Sequence, residues 1–183
     1  MFKHKKVLWI TRTAVLIALT VVLQALTLQL GNQFITGSIV NLMLIIAVMT
    51  CGLPTGLTVS IFTPIIPTLL GFGPLWPIVP FIAAGNMALV TVWFFISNFE
   101  ILNTHIIRAI ALVAGAAAKF IVLYLGVVKL ALPYILGLPE ESPAFIAMSF
   151  MFSWPQFITA SIGGICAIFL LPQLLKAIGN KVQ

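Results

Sequence analysis

One lysine lies inside a long apolar run of the chain. Lys119 falls within residues 106–128, a run long enough to cross a bilayer as a helix. An ammonium at the centre of such a helix costs about 2.5–3.5 kcal/mol on insertion scales, and it normally faces a bundle interior or a water-filled cavity. Lys119 is therefore a candidate functional residue, unless its side chain snorkels to the nearer membrane surface.

Amide and hydroxyl side chains are predicted at a similar depth on neighbouring helices. They are Thr20, Gln24 and Thr27 on the first predicted helix, Asn41 on the second, Asn86 on the fourth, and Ser149, Ser153 and Gln156 on the sixth. One interpretation is that each only holds two helices together by a hydrogen bond. Together with the lysine, they predict one polar cavity that opens outward and holds a small polar solute.

Three prolines interrupt the predicted helices. Pro155 has no N–H, so the carbonyl of Met151 loses its helix partner and is free for a ligand, a water or a neighbouring helix. Pro64 and Pro67 lie in the short third helix, where they either mark simple kinks or flank a binding site.

Aromatic residues are further candidates for the site. Trp76 lies between prolines in a stiff loop, residues 73–77, where it either caps a cavity or anchors the chain at the membrane interface. Trp93 and Trp154 are either ligand platforms or core and interface anchors. Tyr124, in the same apolar run as Lys119, is a further aromatic candidate for the site.

The composition is that of an integral membrane protein. The 183 residues are 62% hydrophobic and 7% charged, with a mean hydropathy of +1.23, which excludes an ordinary soluble domain. The net charge of +6 does not indicate a nucleic-acid-binding protein, because the basic residues lie at segment ends and not along a stripe. They are typical of topology signals and of contacts to anionic lipid.

The predicted fold class is an all-α integral membrane protein, a bundle of six transmembrane helices in a single domain of residues 1–183. The predicted helices are 7–30, 37–53, 55–70, 78–97, 106–128 and 144–171. With the N-terminus inside, the inner side holds Lys3, Lys5, Lys6, Arg12, Arg108, Lys176 and Lys181, and the outer side holds Lys129. This positive-inside distribution predicts that both termini are cytoplasmic.

The sequence does not favour an enzyme, and we predict no catalytic residues. The two histidines are predicted near the cytoplasmic surface, and Ser149 and Ser153 have no base at a reachable depth. Two cysteines alone make no metal site, so neither a metal nor a cofactor is expected. No loop has room for a nucleotide-binding module, so uphill transport would draw on an ion gradient or a partner protein.

Ala14 and Ala18 form a small-x-x-x-small pair in the inner half of the first helix. Small residues at this spacing let another helix backbone approach closely. The approaching helix belongs either to a partner protein or to this same chain.

The six-helix layout and several short motifs resemble the S components of energy-coupling-factor (ECF) vitamin transporters, most closely the pantothenate-specific type. The similarity covers essentially the whole chain, and the order and spacing of the motifs carry it. The motifs are residues 14–18, 36–41, 73–77, the pair Gly85–Asn86 and the pair Ala118–Lys119.

The resemblance implies a vitamin-binding subunit in the plasma membrane of a prokaryote. The vitamin would bind in an outward-facing pocket, and Ala14 and Ala18 would dock onto a coupling membrane subunit driven by two cytoplasmic ATPases. The subunit would topple in the membrane to deliver its ligand, and only its partners would use ATP. The substrate-binding candidates are Lys119, Asn86, Asn41, Gln156, Trp154, Trp76 and Tyr124.

Pantothenate suits these side chains because it carries a carboxylate for Lys119, and hydroxyls and an amide for Asn41, Asn86 and Gln156. The lack of an acid within the predicted spans argues against a cationic solute such as thiamine. Alternatives are hydroxymethylpyrimidine or pyridoxine stacked on a tryptophan, another anionic vitamin, or a non-transport structural membrane protein, which leaves the lysine without a role.

Overall fold

The computed structural model describes residues 2–98 and 104–177, and its regular structure within these ranges is entirely helical. The predicted all-α class is therefore confirmed. The α-helices are α1 (Phe2–Leu28), α2 (Gln33–Cys51), α3 (Leu53–Leu69), α4 (Val79–Ser97), α5 (Thr104–Leu123), α6 (Pro143–Met151) and α7 (Trp154–Ala177). A 3-10 turn, Trp76–Ile78, precedes α4, and a π-helix, Tyr124–Ile135, continues α5.

Five helical stretches are long and apolar enough to cross a membrane. They are Lys6–Leu28, Gln33–Cys51, Trp76–Ser97, Ile106–Ile135 and Pro143–Ala177, and the shorter apolar helix is Leu53–Leu69. Large apolar side chains on the outer faces, such as Val15, Val22 and Leu26 on α1, are more than half exposed. Such a surface suits a hydrocarbon solvent, and the chain is a membrane protein by the length and composition of its helices.

The prediction of one continuous sixth helix is wrong. The helix breaks at Phe152 and Ser153, and α7 begins at Trp154. Pro155 explains the break, because it gives the Met151 carbonyl no N–H and its ring clashes with that carbonyl in a continuous helix. The predicted polar stripe from Ser149 onward is broken at the same point.

The fifth helix also differs from its predicted bounds. Its α-helical part ends at Leu123, and the chain continues through 12 residues of π-helix, past the predicted end at 128. An apolar run has no feature that separates α from π hydrogen bonding, so composition could not locate this change of register.

Glycines let α2 and α7 pack closely. A Cβ added at Gly163 would lie 2.6 Å from the Ser38 carbonyl oxygen and 2.8 Å from the Asn41 Cβ. A Cβ added at Gly37 would lie 3.1 Å from the Cγ2 of Thr159. This contact brings the amide of Asn41 next to α7.

We predict that Gly163→Ala destabilises the protein, because the added methyl group meets backbone that cannot rotate away. Overpacking of this kind costs about 1–3 kcal/mol. The measurement is the midpoint of thermal unfolding in detergent, with Cys166→Ala, on the exposed face of the same helix, as the control. Equal midpoints for the two variants would contradict the close α2–α7 contact.

Candidate functional site

The centre of the site is the Lys119 ammonium, which is held by two amide oxygens. Its Nζ donates to Oδ1 of Asn41 at 2.6 Å and to Oδ1 of Asn86 at 2.7 Å. All three side chains are buried: Lys119 is 4%, Asn86 1% and Asn41 0% exposed. The prediction that Lys119 faces the bundle interior is confirmed, and the snorkelling alternative is excluded. One side chain thereby joins α2, α4 and α5.

The amide of Asn86 is oriented by a proline on α3. Pro64 has no N–H, so the carbonyl of Ser60, four residues earlier, has no helix partner at that position. The Nδ2 of Asn86 donates to this carbonyl oxygen at 3.4 Å. With its nitrogen directed at α3, the amide presents its oxygen to the ammonium, which can only donate.

The amide of Asn41 is oriented in the same way by α7. Its Nδ2 lies 3.4 Å from the Oγ1 of Thr159, and that hydroxyl donates to the Gln156 carbonyl oxygen at 3.2 Å. The network around Lys119 therefore reaches from α3 through α4, α5 and α2 to α7. Five helices contribute to the position of one charge.

A cavity of about 430 Å³ lies beside this network, at the end of the bundle where α1 and α3 end and where α2, α4 and α7 begin. Its volume is within the range of roughly 300–1,000 Å³ that is typical of small-molecule sites. The polar residues that line it are Gln24, Asn32, Gln33, Thr36, Thr63, Asn86, Lys119 and Gln156. The apolar ones are Leu28, Val40, Pro64, Pro74, Ile82, Leu123, Met151 and Phe152.

The rim of the cavity is more exposed than its inner end. Asn32, between α1 and α2, and Met151, at the end of α6, are exposed, whereas Lys119 and Asn86 are buried. The cavity thus opens at the surface and ends at the ammonium. A bound solute could place a charged group at the inner end and its remainder nearer the rim.

The carbonyl freed by Pro155 lies at this rim. The Met151 oxygen accepts from Nε2 of Gln156 at 2.9 Å and from Nε2 of Gln33 at 3.4 Å. The prediction that this carbonyl is available to another group is confirmed: the nearer donor is Gln156, five residues further along the chain, and the farther one is Gln33 of α2. These bonds tie the start of α2 to the junction between α6 and α7 beside the cavity.

The cavity carries an uncompensated positive charge. Its lining, in the part of the chain that the structure describes, contains no Asp or Glu. The two asparagine oxygens satisfy two of the three N–H groups of Lys119 but do not neutralise its charge. A carboxylate at the inner end of the cavity would supply both the remaining hydrogen bond and the opposite charge.

The Oε1 of Gln24 is a further group available to a solute. This oxygen is buried and has no hydrogen-bond partner among the described residues, and its side chain lines the cavity. A buried acceptor without a partner is costly. A hydroxyl or amide N–H of a bound solute would satisfy it.

Of the seven predicted substrate-binding residues, the structure brings four together at this site. Lys119, Asn86 and Gln156 line the cavity, and Asn41 holds the ammonium. Gln24 belongs to the predicted polar stripe but is not among the predicted substrate-binding residues, and neither are the rim residues Asn32, Gln33 and Thr36. The missing N–H of Pro155 predicts a free carbonyl at Met151. The same rule at Pro64 points to the Ser60 carbonyl.

Three predicted aromatic site residues lie elsewhere. Trp154 is 49% exposed and packs against the rings of Phe34 and Phe150, with centroids 6.3 and 5.3 Å away. Trp76 is 53% exposed in the 3-10 turn. The Tyr124 ring lies under the ammonium of Lys129, 5.6 Å from its centroid. None of these three lines the cavity.

The other residues singled out from the sequence lie in the core or on α1. Trp93 is fully buried in the core, close to Gly115 and Gly164. Ala14 and Ala18 are exposed on α1. Thr20 and Thr27, from the predicted polar stripe, are buried and donate to carbonyls of their own helix.

Comparisons with protein-family models, curated proteins and solved structures found no match to this chain.

We predict that Asn86 and Lys119 are energetically coupled. Asn86→Leu leaves the ammonium short of one acceptor, whereas Asn86→Leu combined with Lys119→Met removes the group that needs it. The double variant should therefore be more stable than additivity predicts, by about 0.5–3 kcal/mol. The measurement is a double-mutant cycle of unfolding free energy in detergent.

Asn32 is the matched control for this cycle. Its side chain caps α2 by accepting from the N–H of Phe34, and the ammonium of Lys119 is hydrogen-bonded to Asn41 and Asn86 instead. Asn32→Leu and Lys119→Met should therefore be additive. Additive effects in the Asn86 cycle as well would show that the ammonium does not depend on that amide.

Proposed function

We propose that this chain is the solute-binding membrane subunit of a vitamin importer, an S component of an ECF transporter, and that its ligand is pantothenate. The observation that carries the proposal is the buried Lys119 ammonium at the inner end of an acid-free cavity. A protein held together only by helix packing gains nothing from a buried unneutralised charge, whereas a receptor for a small anion does.

The chemistry of the cavity favours a solute with a carboxylate and additional hydrogen-bonding groups. The carboxylate pairs with Lys119, and a hydroxyl or amide N–H of the solute meets the unpaired Oε1 of Gln24. Apolar carbons of the solute contact residues such as Val40, Ile82 and Leu123. Pantothenate combines these groups, with a carboxylate at one end, two hydroxyls at the other, and a gem-dimethyl group and an amide between them.

The positive charge argues against a cationic vitamin. Thiamine would place its charge in a cavity whose charged residue is Lys119, without an acid to pair with. Neutral ring ligands, hydroxymethylpyrimidine and pyridoxine, lose support because the tryptophans proposed to stack on them, Trp76 and Trp154, do not line the cavity.

The proposed topology has six membrane crossings and cytoplasmic termini, in the plasma membrane of a prokaryote. It is supported by the clustering of basic residues at the end of the bundle opposite the cavity, where Arg12, Arg108 and Lys176 lie. In this orientation the cavity opens to the outside, as an import receptor requires. Import then depends on a coupling membrane subunit and two cytoplasmic ATPases.

We predict that the purified protein binds pantothenate and that Lys119→Met weakens this binding by about a hundredfold, because a buried charge-assisted contact is lost. The measurement is a calorimetric titration of pantothenate, thiamine, pyridoxine and hydroxymethylpyrimidine, after mass spectrometry of any co-purified molecule. Lys129→Met is the control, since Lys129 is an exposed lysine outside the cavity.

A ligand analogue tests the same contact from the other side. Pantothenol, in which an alcohol replaces the carboxylate, should bind weakly and with the same affinity to the wild-type protein and to Lys119→Met. Unchanged pantothenate affinity in a folded Lys119→Met variant would remove Lys119 from the site. If the protein binds none of the compounds in the titration, the alternative of a non-transport structural membrane protein is favoured instead.

We predict that Ala14→Trp or Ala18→Trp blocks assembly with the coupling module while leaving the affinity for pantothenate unchanged. Both alanines are exposed on α1, away from the cavity lining, so a large side chain there obstructs an approaching helix and not the ligand. The measurement is co-purification with the coupling subunits. The control is Ile162→Trp, on the exposed face of α7. If the two alanine variants co-purify with the coupling subunits as well as the wild-type protein does, Ala14 and Ala18 are not the docking surface.

A further inference from the structure

A second cavity, of about 490 Å³, opens at the other end of the bundle, where α1 begins and α2 ends. We call it the α1–α2 groove. Val15 and Leu19 form its outer edge and are 58% and 46% exposed, and Met43 on α2, which is 5% exposed, lies deeper. Leu174 of α7 also contributes to the lining. The groove therefore runs inward from the face of the bundle that apolar solvent covers.

Among the residues that the structure describes, the groove is lined by one charged side chain and otherwise by a mostly apolar wall. Arg12 is exposed and lines the groove. The hydroxyls of Thr11 and Thr50 also line it, but they donate to carbonyls of their own helices, those of Val7 at 2.9 Å and Ile46 at 2.7 Å. Because these hydroxyl hydrogens are already used, the wall offers a polar solute few donors apart from the guanidinium.

Arg12 lies inside an apolar stretch, Lys6–Leu28, that is long enough to cross the membrane. A guanidinium at this depth needs a counter-charge or access to the interface. The acids that the structure describes, Glu140 and Glu141, precede α6, at the end of the bundle near the first cavity. No acid among the described residues is at the level of Arg12, so lipid phosphates there are candidate counter-charges, and guanidinium binds phosphate in a bidentate geometry.

We propose that the α1–α2 groove binds one anionic phospholipid, with its phosphate on Arg12 and one acyl chain along Val15, Leu19 and Met43. The shape of the groove favours a lipid, since it carries its charge at one place and is apolar beyond it. Arg108 and Lys176, at the same end of the bundle, raise the local concentration of anionic lipid there.

The test is native mass spectrometry of the delipidated full chain, titrated with phosphatidylglycerol and with phosphatidylcholine of the same acyl chains. One phosphatidylglycerol should be retained in preference to phosphatidylcholine. Arg12→Gln should weaken its binding about tenfold, the loss of one charge-assisted contact. Arg108→Gln, which removes a charge at the same end but outside the groove, should weaken it much less than Arg12→Gln does.

The acyl-chain contact is tested separately. Val15→Trp fills the groove from its exposed edge and should reduce retention of both lipids, whereas Val22→Trp, at an exposed position of the same helix outside the groove, should not. Soluble glycerol phosphate should not bind, because it lacks the chain.

Four results would overturn the proposal. They are equal retention of the two lipids by the wild-type protein, equal losses in Arg12→Gln and Arg108→Gln, retention of glycerol phosphate, and undiminished phosphatidylglycerol in Val15→Trp. If Val15→Trp keeps its phosphatidylglycerol but no longer assembles with a coupling subunit, the groove binds a protein helix instead of a lipid. The outcome is independent of vitamin binding, because the other cavity lies at the opposite end of the bundle.

Discussion

The bond between the Lys119 ammonium and two asparagine oxygens is the interaction on which the rest of the site depends. A buried cation has to be satisfied, and the acceptors at 2.6 and 2.7 Å come from α2 and α4. Each asparagine in turn uses its nitrogen on a further helix, α3 or α7. Hydrogen bonds thereby link five helices to one charge, and the same bonds hold the wall of the cavity beside it in place.

Neutral acceptors make this arrangement different from a buried ion pair. A carboxylate in place of either amide would satisfy the ammonium and cancel its charge, leaving little reason for an anion to enter. Asn41 and Asn86 accept two hydrogen bonds from the ammonium but leave its charge uncompensated. Among the described residues, the groove at the other end of the bundle is also lined by one cation, Arg12, but that side chain is exposed, whereas Lys119 is buried.

Prolines supply backbone acceptors at both sides of the cavity. Pro64 leaves the Ser60 carbonyl to Asn86, and Pro155 leaves the Met151 carbonyl to two glutamines at the rim. In a membrane, a carbonyl without its helix partner needs another donor close by. Here those donors are side chains that orient the site, so each helix interruption contributes directly to the geometry of the cavity.

The sequence by itself determined the helical class, the approximate bounds of the first four helices and the significance of Lys119, because an apolar run and a charge within it have immediate energetic consequences. It also located Asn41 and Asn86 at the depth of Lys119, whereas Gln156 lies nearer the rim. Only the tertiary structure decided which amide oxygens hold the lysine, that Trp76, Trp154 and Tyr124 lie outside the cavity, and where α7 begins. Helix rotation and close approach at glycines such as Gly163 set these outcomes, and both depend on how neighbouring helices pack.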